Sequence, residues 1–444
     1  LGLDLIDCGY MTLFFILGRE PALSAAEIVS VLGDQGQNVS VGKEVLCADV
    51  SESFDVRALM NELGGTIKIG RVLHSWDREP DTDTMIPEIT RALRSAAGGA
   101  KRIDFGFSAY DASARGIPSK KINGFQKMLK SFGITMKRAL EENGSRVRFV
   151  ISREPTLSSV VVETNKLTTD GAEIVFLLLD TKLIIGQTLA VQPFRELSRR
   201  DFGRPARDTE GGMLPPKLAR MLVNLARPPI TATLLDPFCG SGTILMEAWL
   251  GGYRSLIGSD LDSTAIARTK SNLEWIDKIA AQKTRLIDIG VKNLPGILGA
   301  GSVDAIATEP YLGPPLRGRE TPDDIRDIEH SLLPLFHDTL NSFRAILKSR
   351  GRAVIAFPLW SLSSLRGGHG PTKQSREKRG EAQFYHSSII NKINDYGFAL
   401  KSPLPIELVT PTLAPEFGAG GKTLIYGRPD QHVWREIAIL EKLG

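Results

Sequence analysis

Cysteine is scarce: Cys8, Cys47 and Cys239 are the only three in 444 residues. They lie far apart and are odd in number, which excludes a disulfide framework and a Cys-x-x-Cys metal pair. The six histidines show no ligand spacing, so no metal site is expected. This thiol usage fits a reducing cytoplasm, which is the expected location. Long apolar runs are lacking as well. No segment approaches the ~18–20 apolar residues that span a bilayer, and no membrane association is expected. The longest run, Met11 to Leu17, is one short strand. It has neither a basic leader nor a small-residue cleavage site, so it is not read as a signal peptide. The first residue is Leu1. Residues 1–10 are read either as an extension ahead of a start at Met11 or as the remnant of a longer chain.

What is present describes a globular chain of two to three domains, 42% hydrophobic and 24% charged. The net charge of +4 hides an uneven distribution: residues 100–153 hold twelve Lys and Arg against Asp104, Asp111, Glu141 and Glu142. Such an excess fits a polyanion partner. It equally fits the solvated face of a helix, since Lys127, Lys130, Lys137 and Arg138 could line one.

Hydrophobic patterning divides the chain. Residues 10–76 read as a βαββαβ unit, a ferredoxin-like order: strand Thr12–Leu17, helix Pro21–Leu32, hairpin Val39–Val41 with Glu44–Val50, helix Val56–Leu63, strand Thr66–His74. Residues 77–191 form a second, basic α/β unit. Its expected helices are Ile86–Ala96 and Asn123–Glu142. Its expected strands are Arg102–Tyr110, Arg146–Ile151, Ser159–Glu163, Glu173–Leu179 and Lys182–Leu189. Residues 192–212, polar and Arg-rich, read as a linker. From 213 to 430 strands alternate with helices, which predicts a Rossmann-like, doubly wound, mostly parallel sheet. The strands are Thr233–Asp236, Ser255–Asp260, Thr284–Asp288, Val303–Thr308 and Ala353–Phe357. The helices are Thr243–Leu250, Ser263–Ile276, Asp323–Leu347 and Gln383–Asp395. The Gly-, Ser-, Lys- and Arg-rich stretch 361–382 reads as a mobile insertion.

The strongest chemical signal follows the first of these strands: Asp236-Pro237-Phe238-Cys239-Gly240-Ser241-Gly242-Thr243. The two glycines let the backbone turn tightly and approach a ligand. The helix that opens at Thr243 adds free N–H groups and a partial positive charge suited to a carboxylate. Leu245 stands where a dinucleotide loop has its third glycine, and no Gly-Lys-Ser/Thr follows, so neither a dinucleotide fingerprint nor a P-loop is present. Asp236 suits an amino group. Asp260, followed by Leu261, closes the next strand, where a carboxylate can hold ribose hydroxyls. Asp288 closes the third and suits an adenine amine. Asp262 reads instead as a helix N-cap. Cys239, without a neighbouring His or Lys, reads as a small packing residue rather than a nucleophile.

These segments, with Arg204-Pro205 and Leu214-Pro215-Pro216-Lys217-Leu218-Ala219-Arg220 upstream, resemble class I S-adenosylmethionine-dependent methyltransferases, and more narrowly the THUMP-domain tRNA guanine-N2-methyltransferases. The resemblance is specific over 204–311 and rests on topology and position before 190. It implies a cofactor site of Asp236, Pro237, Phe238, Gly240, Ser241, Gly242, Thr243, Asp260, Leu261 and Asp288 for S-adenosyl-L-methionine. It also implies a THUMP-like RNA-binding domain at 77–191.

A catalytic tetrapeptide of the Asp-Pro-Pro-Tyr type follows the fourth strand in that family; here Glu309-Pro310-Tyr311-Leu312 stands in its place. Glu309 would grip the exocyclic amine and Tyr311 would stack on the base. The carboxylate is one methylene longer, and the aromatic comes one residue early. This departure leaves open a different base, a different stacking arrangement or lost activity; a plain strand-ending turn is the bland alternative.

The implied reaction is methylation of a guanosine N2 amine in tRNA. Arg102, Lys120, Lys121, Lys127, Lys130, Arg199 and Arg204 would contact phosphates. The alternatives are the same chemistry on ribosomal RNA or a DNA adenine amine, a non-catalytic RNA-binding protein that keeps the fold, and a small-molecule methyltransferase. A small activating protein partner occurs in related enzymes, and no feature of the sequence demands one.

Overall fold

The computed structural model describes residues 9–98, 102–142, 144–207, 213–361, 384–428 and 431–444. Beyond Ser361, the insertion expected at 361–382 lies outside them. The chain divides into two units: Leu1–Arg195 with Ile406–Leu413, and Glu196–Pro405 with Ala414–Gly444.

The first unit opens with β1 (Tyr10–Leu17), α1 (Pro21–Leu32), β2 (Gln37–Val41), β3 (Val45–Ser51), α2 (Val56–Glu62) and β4 (Thr66–Trp76). This is the expected βαββαβ order. It continues with α3 (Thr82–Ala97), β5 (Arg102–Asp111), α4 (Ser119–Glu142), β6 (Arg146–Val150), α5 (Ser159–Thr164), β7 (Gly171–Leu178) and β8 (Leu183–Val191). The two stretches read as separate units share one eight-stranded sheet, ordered β2-β3-β1-β4-β8-β7-β5-β6 and joined where β4 pairs antiparallel with β8. α4 buries Phe125, Leu129, Phe132, Met136 and Leu140 along one stripe. Lys120, Lys121, Lys127 and Lys130 are exposed.

Residues Ser159–Glu163, expected as a strand, are helical. The three valines favour strand, but the Ser158 hydroxyl caps the segment by accepting from Val161 N, and Val162 is buried within it. Inside this sheet lies a closed ionic cluster. Lys68 and Glu173, both fully buried, pair at 2.5 Å. Ser108 and Thr188 donate to the same carboxylate at 2.6 Å each. Burial away from water makes each charge indispensable to the other.

The second unit contains most of α6 (Phe194–Phe202), then α7 (Pro216–Ala226), β9 (Thr233–Asp236), α8 (Thr243–Leu250), β10 (Ser255–Asp260), α9 (Ser263–Ile276), α10 (Lys278–Lys283), β11 (Arg285–Asp288), α11 (Leu294–Leu298) and β12 (Val303–Thr308). It ends with α12 (Pro322–Ile346), β13 (Leu347–Ser361), β14 (Phe384–His386), β15 (Phe398–Lys401), β16 (Leu424–Tyr426) and β17 (Val433–Lys442). The sheet path is β11-β10-β9-β12-β13-β17-β15. The first five strands are parallel, and β17 runs antiparallel to β13 and β15. Strand order reverses between β9 and β12, the place where such sheets open a crevice at their C-terminal edge. Phe336, Phe343, Phe357, Trp360 and Phe398 anchor the core.

Three expectations change in this unit. The stretch 192–212 is not a plain linker, because α6 forms within it: Leu197 is buried, and Arg200 donates to the buried Glu247 at 2.6 Å. The described part of Gln383–Asp395, from Phe384 onward, is not the α-helix expected there. Phe384–His386 pairs with β13, and Ser388–Tyr396 is a 3-10 helix that starts where Glu329 accepts from Ser388 N and Tyr385 Oη. Tertiary pairing overrides helix propensity here. The sheet also continues past residue 430, since β17 is an interior strand.

Candidate active site

Four strands deliver polar side chains to one edge. Asp236, Asp260, Asp288 and Thr308 are the last residues of β9, β10, β11 and β12. Parallel register keeps these ends together: Asp236 pairs with Gly258, and Asp260 with Asp288.

Asp236 is 2% exposed. Its Oδ1 accepts from Thr308 Oγ1 at 2.6 Å and from Phe238 N at 3.2 Å, and neither bond uses Oδ2. Burial pushes its carboxyl up to about 7, against the pull of those two donors; the charges of Asp260 and Glu309 push the same way. A cationic group at Oδ2 would restore the ionised form.

The loop after Asp236 is held from below. Gly240 and Gly242 have φ of 51° and 81°, and a Cβ on Gly242 would lie 2.9 Å from Thr269 Cγ2. Gly240 N donates to Asp260 Oδ2 at 2.9 Å, and Thr269 Oγ1 donates to Gly240 O at 2.9 Å. Asn272 Nδ2 donates to Ser241 O at 2.8 Å. Thr269 and Asn272 sit on α9, and nothing in the sequence marked them. Cys239 is buried at 4% exposure, and burial pushes its thiol up, which makes it a packing residue and not a nucleophile. Pro237 accepts from Ser259 Oγ at 3.3 Å, and Phe238 packs on the core.

Arg204 requires a correction. Expected at an RNA phosphate, it is 3% exposed and donates through Nη1 to Thr243 Oγ1 at 2.5 Å, at the start of α8. Its Nε and Nη2 have no hydrogen-bond partner among the described residues. A buried, half-satisfied guanidinium beside a helix N-terminus fits an anionic group. Arg199, also expected at phosphate, is exposed and lies over the Trp275 ring at 4.9 Å. The exposed Arg102 pairs with Asp104 at 2.6 Å, and Lys121 pairs with Glu79 at 3.7 Å.

At the rim, Asp260 also accepts from Asp262 N, while Asp262 caps α9 as expected. Leu261 is 82% exposed, an apolar side chain with nothing over it among the described residues. Asp288 is exposed. The orphaned Arg204, the unused Oδ2 of Asp236, the open glycine loop and the bare Leu261 fit a ligand with a carboxylate, an amino group and a flat ring. Among the described residues no group of three or more His, Cys, Asp or Glu could hold a metal ion. Nor is any helix there long and apolar enough to cross a membrane.

Glu309 follows β12 directly. Its carboxylate takes one edge of the Arg435 guanidinium: Nη2 donates to Oε1 at 2.9 Å, and Nε donates to Oε2. Sequence reasoning missed Arg435, which lies 126 residues away with no motif around it. Tyr311 is 59% exposed.

The comparisons with known proteins agree with this geometry. The profile of the UPF0020 family, an RMKL-like methyltransferase domain, matches residues 204–382. The crystal structure of TrmN from Thermus thermophilus superposes with a TM-score of 0.50 at 18% identity, covering 98% of this chain and 100% of that one. The chain carries a class I methyltransferase fold. It is related to tRNA guanine-N2-methyltransferases. The tRNA (guanine(10)-N2)-dimethyltransferase of Methanocaldococcus jannaschii is 45% identical over 105 residues, 23% of this chain and 29% of that protein. Its counterpart from Pyrococcus abyssi is 33% identical over 165 residues, 37% of this chain and 43% of that protein. The tRNA (guanine(6)-N2)-methyltransferase of Thermus thermophilus is 32% identical over 168 residues, 36% and 43% of the two. The chain thus spans less than half the length of each of these three relatives.

Proposed function

We propose that this chain uses S-adenosylmethionine to methylate the exocyclic N2 amine of a guanosine in tRNA, in the cytoplasm. The observation that carries the reading is the placement of Glu309-Pro310-Tyr311 at the end of β12, one residue from Thr308, which is bonded to the cofactor-loop carboxylate Asp236. Asp236 Oδ2 would hold the cofactor's amino group. Arg204 and the α8 N-terminus would hold its carboxylate, Asp260 its ribose, and Leu261 with Asp288 its adenine. When bound, the cofactor supplies an electrophilic methyl group on its sulfonium.

The chain's own residues then orient the base. A guanine amine is a poor nucleophile because its lone pair is delocalised into the ring. Glu309, by accepting an N–H of that amine, favours the pyramidal form whose lone pair is free. Tyr311, exposed at this edge, offers a ring on which a flipped base can stack. Positioning and preorganised charge supply the rate.

The first unit is proposed to be a ferredoxin-like segment, residues 10–76, followed by a THUMP-like RNA-binding domain, residues 77–191. Two observations support this reading. The β2-β3-β1-β4 order with antiparallel pairs is that of a ferredoxin-like sheet, and α4 carries Lys120, Lys127 and Lys130 exposed away from its apolar stripe, with Lys121 exposed in its first turn. These cations, with Arg102 and Arg199, would contact phosphates without reading sequence.

The test is to incubate the chain with methyl-labelled S-adenosylmethionine and unmodified tRNA, ribosomal RNA fragments or DNA, digest, and identify the labelled nucleoside. N2-methylguanosine from tRNA alone is expected. Label in adenine or in ribosomal RNA would overturn the substrate, and label in none would overturn the reaction.

A further inference from the structure

Arg435 lies on β17, two strands from β12 in the sheet, in register with Pro358 of β13 and Tyr426 of β16. The side chains of Arg435 and Glu309 are 13% and 17% exposed. The guanidinium meets the carboxylate edge to edge, through two parallel N–H donors, with the Tyr426 ring 6.0 Å away. Its backbone is anchored by the next residue. Glu436, fully buried, accepts from Ala419 N at 2.8 Å and Thr423 Oγ1 at 2.5 Å, and bonds His386 Nδ1 at 2.7 Å. Arg435 therefore projects from a pinned point on an interior strand.

A glutamate side chain has three rotatable bonds, and left alone at a strand end it samples many carboxylate orientations. A guanidinium fork removes that freedom, because it matches a carboxylate in plane and in spacing. It occupies one lone pair on each oxygen and leaves another on each for a substrate N–H.

Resting on the function proposed above, we infer that Arg435 is the positioning residue of the active site: it fixes the plane and direction of the Glu309 carboxylate against the amine. Arg435 touches neither substrate nor cofactor in this role; it acts through Glu309.

The experiment measures single-turnover methyl transfer to tRNA, together with S-adenosylmethionine affinity, for the wild type, Arg435→Met, Arg435→Lys, Glu309→Gln and the double variant Glu309→Gln/Arg435→Met. Arg435→Met is expected to lose about 10- to 100-fold in rate, the scale of a misplaced catalytic group, with cofactor affinity unchanged. The loss should fall on the rate at saturating tRNA and not on the half-saturating tRNA concentration, because only the placement of the Glu309 carboxylate against the amine has changed. Arg435→Lys, which keeps the charge without the fork, should fall between. The double variant should be no slower than Glu309→Gln alone, since Arg435 would have nothing left to position. An Arg435→Met enzyme with the wild-type rate overturns the inference alone. So does a double variant much slower than Glu309→Gln, which would assign Arg435 a structural role. A wild type that transfers no methyl group overturns the proposed function and this inference with it.

Discussion

Asp236→Asn should make the empty protein more stable at neutral pH while removing its grip on the cofactor. The buried carboxyl titrates at about 7 rather than its ordinary 3.8. Below about pH 4 the carboxyl is protonated in both folded and unfolded chains, and its burial has no linked cost. As pH rises further the unfolded chain ionises and the fold keeps its proton, so stability falls. The loss levels off near pH 7, where the folded group ionises too. The gap between 3.8 and about 7, at about 1.4 kcal/mol per pH unit, sets a ceiling of about 4 kcal/mol. Asparagine keeps the size of the side chain, and its carbonyl oxygen can still accept from Thr308 Oγ1 and Phe238 N, so its stability should not carry this pH dependence. Urea unfolding followed by tryptophan fluorescence suits the test, because Trp249, Trp275, Trp360 and Trp434 all lie in the second unit. At pH 5 about 1.2 units of that gap are already crossed, so about 1.6 kcal/mol of the loss is present there, and the separation should widen in the variant's favour by about a further 2–3 kcal/mol between pH 5 and pH 8. Cofactor affinity of the variant should fall at the same pH. Parallel pH dependence in the two proteins, or a variant less stable at pH 8, would refute the reasoning.

Other consequences can be checked with single variants. Gly242→Ala places a side chain at a φ of 81° and a Cβ 2.9 Å from Thr269. It should cost about 1–3 kcal/mol and weaken cofactor binding, read by thermal melting with and without S-adenosylmethionine. Lys68→Met strands a fully buried Glu173 and should cost about 3–5 kcal/mol; Lys68→Met/Glu173→Leu should recover part of it, measured by urea unfolding. Lys127→Ala with Lys130→Ala should leave methyl transfer from bound tRNA unchanged. It should flatten the salt dependence of tRNA affinity by about 1 in the log–log slope for each lost phosphate contact.

Local signals explain what could be read in advance. The carboxylates of Asp236, Asp260 and Asp288 were visible because each ends an apolar run, and parallel pairing aligns those ends. Helices Thr243–Leu250 and Ser263–Ile276 have the expected bounds because their start signals, Gly242 and Asp262, are adjacent in sequence. What escaped depends on distant partners. Arg204 looked like one more surface arginine in a polar stretch, and only the fold turns it toward Thr243. The valines of α5 carried strand propensity that one serine cap and one buried face overrode. The pairing of β4 with β8 joins residues more than a hundred positions apart, and no periodicity encodes it. The Glu309–Arg435 pair is of the same kind.

The central claim is that Glu309, beside the Asp236 loop, carries an amine-methylating site. The direct measurement is transfer of labelled methyl from S-adenosylmethionine to tRNA by the wild type and by Glu309→Ala, with cofactor affinity measured in both. The account predicts label in N2-methylguanosine for the wild type, and loss of transfer by two or more orders of magnitude in the variant with cofactor affinity retained, about the scale of a removed transition-state contact. A variant that transfers methyl at the wild-type rate would contradict it.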